Sequence, residues 1–295
     1  MIFFITMQLI KKQIQRSLSD MYSEDEIQIF TFLILETITK LTKAQLLLNS
    51  DLVLSEEQKN AAGQFILRLK QNEPIQYILG ETEFYGLKFK VNPSVLIPRP
   101  ETEELIEWIL LDSGKKTPLS FGSGGEVRHF LDIGTGSGCI AIALKKKFLN
   151  FDVSAMDISS EALKVAKQNA ELNDVEINFI QADVLNINEL DKKYDVIVSN
   201  PPYVLQRDKN NMQSNVLDFE PHIALFVDDD NPLIFYRKIA ELAKNHLNEN
   251  GSLYFEIHAE QGENCKKLLE LIGFENIMLR KDLSGNDRMI CAKIH

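Results

Sequence analysis

The sequence predicts an α/β fold built on a doubly wound, mostly parallel sheet, preceded by a small helical bundle and a hairpin linker. Three observations carry this reading. Near-continuous apolar runs of strand length recur through the C-terminal two thirds of the chain. Amphipathic segments of helical period fall between most of them. A glycine-rich turn, Gly134-Thr135-Gly136-Ser137-Gly138, joins the first such strand to the helix after it. Parallel strands covered by helices on both faces read as continuous apolar runs, and alternation of strand and helix is the signature of the doubly wound class.

The N-terminal part comes first. From Leu9 to about Leu69 the period is helical, with Ile27, Phe30, Ile34, Ile38 and Leu41 forming one apolar stripe. Ser55 precedes Glu56 and Glu57, an N-cap followed by acids at the positive end of a helix. Core packing accounts for these stripes, so residues 1–73 are read as a bundle without chemistry of its own. The run Met1-Ile2-Phe3-Phe4-Ile5 lacks the basic segment and cleavage site of a signal peptide and is too short to span a bilayer. It reads as an extra leader before Met7 or as the apolar edge of the first helix. Residues 74–100 are read as a linker. Phe84 to Val91 alternates around Gly86, predicting a hairpin, and Pro93, Pro98 and Pro100 stiffen the connecting segment after it. Pro100 with Glu101, Glu103 and Glu104 predicts a helix start.

Residues 101–295 then form the predicted catalytic domain, its sheet announced by a Gly/Ser-rich loop at 120–125. Strands are expected at about 128–133, 152–157, 176–181, 194–199, 251–257, 275–280 and 288–294. Helices are expected at about 138–148, 160–173, 232–247 and 260–272.

Composition narrows the function. Net charge is −11, from 32 basic and 43 acidic residues, so a broad basic surface for gripping nucleic-acid backbones is not expected. Cys139, Cys265 and Cys291 have neither metal-ligand spacing nor a disulfide framework and read as reduced thiols of a cytoplasmic protein. No metal is expected, and no stretch reaches membrane length. A monomer is the default state.

The glycine turn carries the first chemistry. Its spacing is G-x-G-x-G, whereas a dinucleotide fingerprint would need a third glycine where Cys139 stands. The pattern is similar to that of S-adenosylmethionine enzymes, in which this loop passes under the amino-acid part of the cofactor. Asp157 ends the second strand, where a carboxylate can accept from both ribose hydroxyls. Asp183 comes after the third strand and can accept from the adenine amino group, while Val184 packs on the ring. Either acid alone would read as a helix cap. Their positions at successive strand ends, where open α/β sheets bind ligands, favour the joint reading.

The fourth strand ends in Asn200-Pro201-Pro202-Tyr203. An amide nitrogen shares its lone pair with its carbonyl and is a poor nucleophile. The Asn200 side-chain oxygen and the Pro201 carbonyl can accept both N–H bonds of a –CONH2 group, aiming the lone pair at a methyl donor. Proline offers an acceptor without a competing donor, and Tyr203 offers an aromatic wall.

Together with Pro74 to Gly80, Leu96-Ile97-Pro98-Arg99-Pro100-Glu101-Thr102-Glu103, Glu220-Pro221, and Asp282 to Arg288, these motifs resemble the HemK/PrmC-type protein-(glutamine-N5) methyltransferases over nearly the whole chain. The resemblance implies the class I S-adenosylmethionine-dependent methyltransferase fold and, as substrate, the Gly-Gly-Gln glutamine of class 1 peptide chain release factors. It implies cofactor contacts from Gly134, Thr135, Gly136, Ser137, Gly138, Asp157, Asp183, Val184 and Asn200, with glutamine held by Asn200, Pro201, Pro202 and Tyr203. His258, where the family usually has glycine, and Asn231-Pro232, where it has Asp-Gly, are departures. Alternatives are a ribosomal-protein glutamine methyltransferase, an adenine-N6 methyltransferase acting on a flipped base, and a cofactor-binding scaffold without catalysis.

Overall fold

The computed structural model describes residues 6–115 and 127–294. The expected leader at 1–5 and the Gly/Ser-rich loop at 120–125 lie outside the described residues. Two compact units are present, one of residues 6–80 with Gln213–Phe219, the other of Glu81–Met212 with Glu220 onward.

The first unit contains α1 (Met7–Leu18), α2 (Glu24–Thr39), α3 (Lys43–Leu48), α4 (Glu56–Leu69) and α5 (Ile75–Leu79). Ser23, Thr42 and Ser55 each start a helix through a capping box, answered by Glu26, Gln45 and Gln58. Each box satisfies two of the orphan N–H groups that a helix start exposes. Met7, Ile14, Ile27, Ile34, Leu46 and Ile66 share one core. Leu41 of the predicted stripe packs against it from beyond α2, which ends at Thr39 because Lys40 turns left-handed at φ 58°.

The second unit opens with the hairpin β1 (Glu81–Phe84) and β2 (Leu87–Lys90). Tyr85 and Gly86 both have positive φ, at 52° and 70°, the turn whose twist suits a two-residue hairpin. Next come α6 (Pro100–Lys115), β3 (His129–Ile133), α7 (Cys139–Lys147), β4 (Asp152–Asp157), α8 (Ser160–Leu172), β5 (Asn178–Gln181) and β6 (Tyr194–Ser199). The short β7 (Val204–Leu205), α9 (Ser214–Phe219, of the first unit), α10 (His222–Leu225) and β8 (Phe226–Val227) lead to α11 (Ile234–His246), β9 (Leu247–Glu256), α12 (Gly262–Ile272), β10 (Glu275–Lys281) and β11 (Asp287–Lys293).

The sheet runs β10-β11-β9-β6-β3-β4-β5. Every pairing from β9 to β5 is parallel, and only β11 runs against its neighbours. The five-residue link between β10 and β11 is too short for the crossover that a parallel pair requires. Along each central strand, neighbours point to opposite cores. Phe130, Val196, Val198, Tyr254 and Cys291 pack on one side, and Leu131, Ile197, Leu253, Phe255 and Ile290 on the other. β9 begins four residues earlier than the sequence predicts. Asn250-Gly251 reads as a turn, yet here it is an irregularity within the strand, with Asn250 at φ 62° and a register shift opposite Tyr194 to Val196.

After β5 the chain returns across the sheet to place β6 on the other side of β3. Such a reversal opens a crevice at the carboxyl ends of the strands, and the site lies there.

Candidate active site

Four successive strand ends converge on one cavity of about 280 Å³. Gly134 and Gly136 come after β3, Asp157 ends β4, Asp183 and Val184 come after β5, and Asn200, Pro201 and Pro202 after β6; all line it. Ser94, Val95 and Leu96 close it from the linker, and Phe235 and Ile239 from α11. The linker wall is pinned by a buried acid. Glu220 accepts from the Ile97 N–H at 3.2 Å and from Arg99 Nη2 at 2.6 Å.

The remaining predicted residues stand behind the cavity. Thr135 is buried and donates to Asp132 Oδ2 at 2.6 Å. Ser137 is buried, its carbonyl accepting from Asn169 Nδ2 at 2.9 Å; the same amide bonds both the N–H and C=O of Lys90, strapping the hairpin and the glycine loop to α8. Gly138 caps α7. Tyr203 turns its hydroxyl to Glu256 Oε1 at 3.1 Å, and its ring meets that of His258 in a T-shaped contact with centroids 6.0 Å apart. His258 itself caps a short 3-10 turn, its Nδ1 accepting from the Glu260 N–H.

Gly134, Gly136 and Gly138 hold φ of 74°, 53° and 82°, a region that side chains resist. They differ in what a Cβ would meet. At Gly136 it would enter open space, whereas at Gly138 it would lie 3.0 Å from Ile142 Cδ1 and 3.2 Å from Ala166 Cβ. Gly136→Ala is therefore expected to cost about 1–2 kcal/mol of backbone strain. Gly138→Ala adds overpacking between α7 and α8, for about 2–4 kcal/mol in all. Urea midpoints of the two variants check this order.

Two carboxylates line the cavity beside the turn. Asp157 accepts from the Gly136 N–H at 2.8 Å and the Ser159 N–H at 2.9 Å. Asp183 accepts from the Leu185 N–H at 2.9 Å and Asn186 Nδ2 at 2.6 Å. Both thus serve as local caps, yet a carboxylate offers about four acceptor positions, leaving capacity for a ligand's hydroxyl or amino groups. Burial raises the pKa of Asp157. Asp132, fully buried beneath the loop, is pushed up to about 7 by desolvation, against the bonds from Thr135 and Ala141. A turn that shows the cavity only glycines, flanking carboxylates and the apolar Val184 suit S-adenosylmethionine, whose amino-acid, ribose and adenine parts need those three surfaces.

Two residues escaped the sequence reading. Thr102 in α6 is buried, its hydroxyl donating to Glu256 Oε2 at 2.6 Å and accepting from Asn200 Nδ2 at 3.3 Å. Glu256 is the last residue of β9, and burial raises its pKa. The signal in the sequence was its place, an acid ending an apolar strand.

Residues 111–218 match the family described as Methyltransferase small domain, and residues 11–80 match the PrmC N-terminal domain. A release factor glutamine methyltransferase of Flavobacterium psychrophilum is 48% identical over 280 residues, covering 95% of this chain and 96% of its own. One of Bacteroides thetaiotaomicron is 42% identical over 287 residues, covering 97% and 99%. Among solved structures, a human methyltransferase 10 domain containing protein aligns with a TM-score of 0.50 at 18% identity, over 80% of this chain and 96% of that one, a likeness of fold alone. With a strand-end cavity suited to the cofactor and near full-length identity of this order, the chain belongs to the release factor glutamine methyltransferase family and is an S-adenosylmethionine-dependent methyltransferase.

Proposed function

We propose that the protein methylates the side-chain amide nitrogen of the Gly-Gly-Gln glutamine in class 1 peptide chain release factors. The observation that carries this is the position of Asn200, Pro201 and Pro202 in the wall of the cavity that Asp157, Asp183 and Val184 also line. When bound, S-adenosylmethionine supplies an electrophilic methyl group on its sulfonium. The chain's own task is to present the nitrogen. The Asn200 side-chain oxygen and the Pro201 carbonyl accept the two amide N–H bonds, which directs the lone pair into the cavity and favours pyramidal nitrogen. Orientation of this kind contributes roughly 7–11 kcal/mol, so no dedicated base is needed before transfer. Gly134, Gly136, Asp157, Asp183 and Val184 hold the cofactor, Thr135, Ser137 and Gly138 support the turn from beneath, and Tyr203 buttresses the loop from behind. Ser94, Val95 and Leu96 restrict water at the mouth.

Residues 1–73 are assigned to docking the release factor, residues 74–100 to the linker and 101–295 to catalysis. Among the described residues no helix is long and apolar enough to cross a membrane. A monomer working in the cytoplasm, without direct nucleic-acid binding, fits a translation-factor substrate and the charge of −11.

Incubation with radiolabelled S-adenosylmethionine, release factor, ribosomal proteins and duplex DNA tests the assignment. Label is expected on the release factor and is expected to vanish when its Gly-Gly-Gln glutamine is replaced. Label only on a ribosomal protein or on DNA would overturn it.

A further inference from the structure

Asn200 works as an acceptor only if its amide is turned the right way. The two ends of an asparagine side chain have nearly the same shape, so shape alone leaves both orientations open. Turned wrongly, the group would present N–H bonds to a substrate amide that itself offers N–H bonds.

The polarity is decided one and two residues away from the cavity. The Thr102 hydroxyl has one proton, and it lies on the 2.6 Å bond to Glu256 Oε2. The lone pairs that remain on Thr102 Oγ1 can only accept, and the group facing them at 3.3 Å is Asn200 Nδ2. Glu256 is itself buried, and its other oxygen accepts from the Tyr203 hydroxyl at 3.1 Å. Burial raises the pKa of Glu256, whereas the two hydroxyls and the nearby charge of Arg288 favour its ionised form. As a carboxylate it can only accept, which sets the direction of the threonine proton. We infer that Thr102 and Glu256 are positioning residues that fix the amide orientation of Asn200 by a directed chain, Asn200 Nδ2 to Thr102 Oγ1 to Glu256 Oε2. The Asn200 oxygen is thereby aimed away from Thr102 and kept as an acceptor for the substrate. Tyr203 shares the anchor, so two residues of the Asn200-Pro201-Pro202-Tyr203 loop are tied to one carboxylate at the end of the neighbouring strand.

This inference rests on the glutamine-methylating reading and makes a separable prediction. Three variants of the full-length protein are compared with wild type on intact release factor: Thr102→Val, Thr102→Ser and Glu256→Gln. Valine keeps the shape but removes the acceptor. Serine keeps the hydroxyl. Glutamine can donate to Thr102, which frees the hydroxyl proton to point at Asn200 and reverses the chain.

Thr102→Val and Glu256→Gln are each expected to lower kcat about 10–100-fold, the scale set by a misoriented contact at a reacting group. KM should change less than kcat, and the dissociation constant for S-adenosylmethionine by calorimetry should stay within about 2-fold, since the chain acts on the substrate acceptor. Thr102→Ser should recover wild-type kcat within a few-fold. The double variant should be little worse than either single one, because both interrupt the same chain. Wild-type kcat in Thr102→Val, or an inactive Thr102→Ser that melts at the wild-type temperature, would overturn the inference. Should Thr102→Val fail to fold, Thr102→Ala takes its place, since it too removes the acceptor: normal kcat in that variant refutes the directed chain. Asn200→Ala separates the two levels. If it is inactive while Thr102→Val and Glu256→Gln are normal, only the orientation chain is wrong. If Asn200→Ala is itself active, the parent reading falls.

Discussion

Replacing Asn200 by alanine is expected to lower kcat by about 10²–10³-fold, a loss of the size seen when one aligned polar group is removed from a reacting centre. Two acceptors hold the two N–H bonds of the substrate amide in the proposed geometry, one from Asn200 and one from the Pro201 carbonyl. Removing one leaves the nitrogen free to rotate about the other, and the lone pair returns to conjugation with its carbonyl. Cofactor affinity should change by no more than about 2–3-fold, because the glycine turn, Asp157, Asp183 and Val184 remain. The backbone of the loop should also survive, since the Ser199 hydroxyl donates to the Ile133 carbonyl at 2.6 Å and anchors the end of β6 to β3. Single-turnover kinetics with calorimetry of S-adenosylmethionine check the split. Near-normal turnover by a folded variant would show that the acceptor pair does not orient the nitrogen.

Asp157→Ala should fail in the opposite way. A carboxylate that accepts from both ribose hydroxyls makes two charge-assisted hydrogen bonds, each worth about 1.5–3 kcal/mol. Their loss predicts cofactor binding weaker by about 10²–10⁴-fold, with activity partly restored at high S-adenosylmethionine. The pH dependence has a definite sign. Burial raises the pKa of Asp157 above that of an ordinary carboxyl. The ionised form is the acceptor, so affinity is full above that raised pKa and falls as pH drops through it. Asp157→Asn should flatten this acid limb. An acid limb of equal depth in Asp157→Asn would place the titrating group elsewhere.

The order of strands and helices was legible because periodicity and glycine punctuation act locally. What escaped was set by long-range pairing. Asn250-Gly251 has turn chemistry, and only its pairing with β6 makes it an irregularity inside a strand. The antiparallel β11 results from the shortness of its link to β10, information present in the sequence but weaker than the apolar run itself. At the site, the cavity brings together Gly134, Gly136, Asp157, Asp183, Val184, Asn200, Pro201 and Pro202 because each sits at the end of a strand that the topology fixes. Thr135, Ser137, Gly138 and Tyr203 stand behind that wall, since consecutive residues of a tight turn cannot all face one way. Thr102 and Glu256 were the least legible. They lie 154 residues apart in the chain and become partners only when α6 and β9 meet.

The three buried cysteines have a use that concerns measurement rather than catalysis. Burial pushes the thiols of Cys139, Cys265 and Cys291 up to about 12. At about pH 8 a thiolate fraction on the order of 10⁻⁴ makes each nearly inert to alkylating reagents. They sit in α7 behind the glycine turn, in α12 and in β11. Alkylation at each position therefore runs as fast as its own element opens. Residue-resolved alkylation rates turn the three thiols into three clocks, and the Cys139 clock should slow selectively when the cofactor rests on the turn in front of it.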